Sequence, residues 1–64
     1  MAMSRKNYEA VARVLRDEKQ NWSEEPQARQ ALAYVTSALA GVFAADNQAF
    51  DRKRFIEAAG GGLQ

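Results

Sequence analysis

Residues 30 to 45 read QALAYVTSALAGVFAA, sixteen consecutive positions without a charge. No proline interrupts them. The one glycine, Gly41, costs about 1 kcal/mol against alanine inside a helix. On a helical wheel Ala28, Ala31, Leu32, Val35, Leu39, Val42 and Phe43 form one broad apolar arc. The opposite side holds Ala33, Ser37, Ala40, Gly41 and Ala44, which are small rather than charged. A helix that is apolar or small all round is buried on most sides. The pattern predicts a central helix over residues 24–45. Ser23 is its expected N-cap, and Glu24 and Glu25 suit the positive end of the helix dipole. Pro26 fits the first turn, whose N–H groups have no intrahelical partner. Asp46 and Asn47 are the expected stop residues.

Toward the N-terminus, Ser4 is the expected cap of a helix over residues 5–20. Tyr8, Val11, Ala12 and Leu15 recur there at helical spacing, with Val14 beside them. Glu9 and Arg13 stand four apart in the favourable order, worth about 0.2–0.5 kcal/mol. Trp22 lies in the connection, either as a lid on the core or as an interface anchor. Toward the C-terminus, Asp51 caps a helix over residues 52–59, and Phe50 and Phe55 match a hydrophobic staple. Gly60 ends that helix. The sequence thus predicts one all-α domain of three helices spanning 1–64, with residues 1–3 and 60–64 flexible.

A chain of 64 residues buries only about 60% of its unfolded surface, so its stability is marginal. Chains this short usually add a disulfide, a metal or a partner subunit. There is no Cys and no His, which excludes a disulfide and a Cys/His metal site. No cofactor is expected. Association is the remaining source of stability. The start carries no apolar secretory segment, and no stretch reaches the roughly 18–20 apolar residues of a membrane span. The expected location is cytoplasmic.

Catalysis finds no support. Lys6, Lys19 and Lys53 sit in polar contexts, and the neighbouring acids Asp17/Glu18 and Glu24/Glu25 point different ways on a helix. The chain is not expected to be an enzyme. Two basic clusters open helices: Arg5 and Lys6, then Arg52, Lys53 and Arg54. Cations at the positive end of a dipole are locally unfavourable, so they are candidate contacts for an anion or a nucleic acid. The other reading is a solvated surface, balanced by Asp51 and by a Lys53–Glu57 pair. Net charge is only +1, against a dedicated nucleic-acid binder.

The small face of the central helix is the candidate interface. Ala33, Ser37, Ala40, Gly41 and Ala44, with Trp22, would let a second backbone approach closely, a habit borrowed from membrane helices. The plainer reading is a wet alanine face.

The phrases Ser4-Arg5-Lys6-Asn7-Tyr8, Val42-Phe43-Ala44-Ala45-Asp46-Asn47 and Phe50-Asp51-Arg52-Lys53-Arg54-Phe55 resemble a group of very small uncharacterised proteins encoded by bacteriophages. Those begin with Ser/Thr-Arg-Lys and an aromatic residue. They end with Asn-Pro, a Phe-Asp pair, an Arg-Phe pair and a short Ala-Cys-Gly tail. Here Gln48 replaces the proline and Ala59 the cysteine, which would loosen the turn and remove the thiol. The resemblance covers both ends of the chain. It implies a viral origin and action in the bacterial host cytoplasm, with no activity attached.

Together these readings lead to a non-catalytic protein–protein interaction module, a homo-oligomer with a dimer favoured, or a binder of a host protein or regulator. The alternatives are a nucleic-acid-associated regulator using Arg5, Lys6, Arg52, Lys53 and Arg54, and a minor structural or assembly component. No membrane partner is expected.

Overall fold

The computed structural model describes residues 4–61. They form three helices: α1 (Arg5–Asn21), α2 (Pro26–Asp46) and α3 (Arg52–Ala58). The all-α, three-helix expectation holds. Residues 1–3 and 62–64, expected to be flexible, lie outside the described residues.

Each helix start has a local cause. Ser4 adopts an extended backbone, and its hydroxyl accepts the Asn7 N–H at 3.4 Å. Asn7 Oδ1 in turn accepts the Ser4 N–H at 3.2 Å, closing a capping box with asparagine at the third position. At α3, Asp51 accepts the Arg54 N–H at 3.0 Å. The start of α2 differs from expectation. Ser23 does not cap it; Glu25 holds the N-cap position without a side-chain bond, and Pro26 is the first helical residue. Pro26 itself explains the shift. A residue before proline is pushed out of the helical region, and Glu25 sits at φ −114°, ψ 92°.

The helix ends are equally specific. Gly60 takes φ 86°. Its N–H donates to the Glu57 carbonyl at 3.1 Å, and the Gly61 N–H reaches back to Ile56 at 2.8 Å. This is the Schellman pattern, which satisfies carbonyls left open at a helix end. Lys19 adds a clasp: its ammonium donates to the Ala59 carbonyl at 2.7 Å and to the Gly61 carbonyl. Burial pushes the Lys19 pKa below its ordinary value. Gly60 and Gly61 are therefore tied to α1, contrary to the expectation of a free tail from residue 60. The turn before α3 is also firm without a proline. Asn47 accepts the Ala49 N–H on its side chain at 3.0 Å and the Phe50 N–H on its carbonyl at 3.0 Å.

Two kinds of packing meet in the core. Tyr8, Phe43, Phe50 and Phe55 form a cluster of rings with centroids 4.6–5.6 Å apart, mostly tilted or edge-on as ring quadrupoles prefer. Beyond it the centre is small: Ala12, Ala40 and Ala59, one from each helical segment, are buried beside Leu15 and Thr36. Helices packed through alanine approach closely, because the side chains at the crossing set the interaxial distance. Thr36 satisfies its hydroxyl on the Leu32 carbonyl at 2.8 Å.

This packing turns α2 over. The small residues were expected to face outward, yet Ala40 is fully enclosed, and Ala33, Ser37 and Ala44 are partly buried. The apolar arc splits. Leu39 and Phe43 pack on the core and Leu32 is half-buried, while Ala31, Val35 and Val42 stand exposed. Size at the helix crossing, rather than summed hydrophobicity, decides which side of α2 faces α1 and α3.

Candidate functional site

Three surfaces follow from this arrangement. The first is the outer face of α2. Ala31, Val35, Ala38, Val42 and Ala45 are all exposed, with Val35 at 46% and Val42 at 61%. Their spacing alternates four, three, four, three. That is the average period of 3.5 that keeps one seam of a helix facing a partner helix along its length. The seam spans fourteen steps, or about 21 Å at 1.5 Å per residue. Tyr34, 55% exposed, flanks it, and no charged residue lies between Gln30 and Ala45.

Of the expected interface residues, Ala40 is inside the domain and unavailable to another molecule. Ala33, Ser37 and Ala44 are turned partly toward it. Gly41 is half-buried beside open space: a Cβ built there meets nothing within 4 Å. Trp22 is 49% exposed at the C-cap of α1, its indole N–H donating to Glu18 at 3.3 Å, and it does not lid the core. The missed signal was already in the sequence. The alternation of alanine and valine from Ala31 to Ala45 is a seam in its own right.

The second surface is a groove of about 400 Å³ between the first half of α1, the α2–α3 turn and α3. It brings Arg5 and Arg54 together above an apolar floor that includes Ala12, Phe50 and Phe55. Lys6, Arg52 and Lys53 do not line it. Glu9 and Asp51 do, so the charge of the groove is balanced. The expected Glu9–Arg13 and Lys53–Glu57 pairs do not form. Among the described residues the one ion pair is Arg16–Asp17, at 3.9 Å and largely exposed. The basic helix starts thus do not converge on a single positive surface.

The third surface lies at the far end of α1, where an open depression of about 430 Å³ is lined by Arg16, Lys19, Gln20, Ser23, Arg29 and the Gly60–Gly61 backbone.

Among the described residues, no group of acidic, Cys or His side chains is placed to hold a metal, and no helix is long and apolar enough to cross a membrane. No family model, no curated protein and no solved structure matches the chain.

Proposed function

We propose that this chain is a non-catalytic interaction module that pairs with a second copy of itself through the outer seam of α2. One observation carries the reading: five exposed residues, Ala31, Val35, Ala38, Val42 and Ala45, keep coiled-coil spacing on a face without charge.

A second copy is the occupant that fits this chemistry. A twofold contact sets the same patch against itself, so any charge on the seam would meet its like or lose its water. This seam has none. The alternation of valine and alanine offers a protruding side chain and a shallow position in turn, which suits knobs meeting holes. The low end of specific interfaces covers roughly 600 Å² per partner. That is about an eighth of the domain's 4769 Å² surface.

The test is sedimentation of the parent chain and of a Val35→Lys/Val42→Lys variant over a range of concentrations. Two copies for the parent and one for the variant, with helicity unchanged, support the reading. A parent that sediments as one copy at high concentration overturns it.

A further inference from the structure

Among the described residues, three cations from two helices line one surface depression, and it is not at the helix starts. The depression at the C-terminal end of α1 takes Arg16 and Lys19 from α1, Arg29 from the first turn of α2, and the Gly60–Gly61 backbone that follows α3. Among the described residues no carboxylate lines it. Arg29 has no acidic side chain within 4 Å among the described residues, and Arg16 reaches only the exposed Asp17 at 3.9 Å. Three cations lining one open depression repel one another, a cost that a bound anion would relieve.

The geometry also fixes Lys19 in place. Lys19 spends two of its three donors on the Ala59 and Gly61 carbonyls, which leaves one N–H and holds the ammonium at the wall of the depression. The stems of Arg16 and Lys19 lie against Gly60: a Cβ there would stand 3.5 Å from Arg16 Cγ and 3.6 Å from Lys19 Cδ. Glycine is required there by its φ of 86° rather than by lack of space. Gln20 and Ser23 add neutral donors at the rim.

We propose that Arg16, Lys19 and Arg29 form a binding site for a phosphate dianion, either free phosphate or the head of a phosphate monoester. The charge count favours a dianion over chloride or a carboxylate. Planar guanidinium groups also match the oxygens of a phosphate two at a time. The site is assembled only when the three helices pack, since residues 16, 29 and 60 are far apart in the chain. Binding therefore stabilises the folded state.

The experiment titrates the full chain at pH 7.5 with inorganic phosphate, phenyl phosphate or sodium chloride at matched ionic strength. Amide chemical shifts and thermal unfolding are the readouts. The expected result is a saturable shift of the Ser23, Gly60 and Gly61 amides and a higher Tm with phosphate but not with chloride. Arg16→Gln/Arg29→Gln weakens it by about tenfold or more, the scale of one charged hydrogen bond. Lys53→Gln/Arg54→Gln removes the same charge elsewhere and leaves the affinity within about twofold. Tighter binding of phenyl phosphate assigns a monoester, and equal binding assigns the free ion. The proposal is overturned if phosphate acts no differently from chloride. It is also overturned if the shifts centre on Arg5 and Arg54, or if both double variants lose binding alike. Helicity measured on each variant separates lost binding from lost folding.

Discussion

The ring of Tyr8 meets the ring of Phe50 nearly edge-on, with centroids 4.6 Å apart and planes at 62°. This contact joins the first helical turn of the chain to the residue before the cap of α3. With the Phe50–Phe55 staple, at 5.5 Å, it is how a seven-residue helix is held against its neighbours.

Phe50→Ala should therefore cost about 2–4 kcal/mol, at or just below the usual range for a buried ring because Phe50 is half-buried. Tyr8→Phe should cost under about 1 kcal/mol, since the Tyr8 hydroxyl receives only one long bond, from Asn47 at 3.4 Å. Urea unfolding of the two variants measures both. Equal losses would mean that the hydroxyl, not ring packing, docks α3.

Two glycines should respond in opposite directions to alanine. Gly41 lies inside α2 at an ordinary helical backbone angle with open space where a Cβ would go, so Gly41→Ala should stabilise by about 0.5–1 kcal/mol. Gly60 sits at φ 86°, so Gly60→Ala should destabilise by about 1–2 kcal/mol. Thermal melts decide it. Loss of stability at Gly41 would mean that something needs this space open.

Lys19→Met keeps most of the aliphatic stem and removes the bonds to the Ala59 and Gly61 carbonyls. A cost of about 1–2 kcal/mol is expected, at the low end for charged hydrogen bonds because the site is partly wet. Hydrogen exchange should locate the damage, with the Gly60 and Gly61 amides losing protection before those of α2. Uniform loss across all three helices would contradict a local clasp.

Ala40→Leu tests the centre of the core. Overpacking a closed position costs about 1–3 kcal/mol, whereas Ala38→Leu, two residues away and exposed, should stay within about 0.5 kcal/mol in the isolated domain. Unfolding at a concentration low enough to keep single copies compares them. If the two substitutions cost the same, the inward and outward faces of α2 are assigned wrongly.

Most of the fold was legible because its boundaries rest on local chemistry. The Ser4 and Asp51 caps, the Phe50–Phe55 pair and Gly60 act within a few residues of themselves, and each stands where the pattern put it. The start of α2 was misplaced because Pro26 overrides the capping preference of Ser23, and the pre-proline restriction carried too little weight. The orientation of α2 was not legible from hydrophobicity. Its sixteen uncharged positions permit several rotations about the axis, and close approach at Ala12, Ala40 and Ala59 selects one of them. The positive depression was hidden for a different reason. Along the chain Arg16, Lys19 and Arg29 are interleaved with Asp17, Glu18, Glu24 and Glu25, and only tertiary packing brings the three cations to one depression.

The shortness of α3 carries a final consequence. Seven residues are far below the roughly twelve that a helix needs to persist alone in water. The segment is a plug on a five-residue tether, and the α1–α2 hairpin is the bottle it closes. A single cut between Asn47 and Asp51 would not trim the molecule. It would release the stopper, take Phe55 and Ala59 with it, and leave a hairpin whose ring cluster and alanine centre both lie open to water.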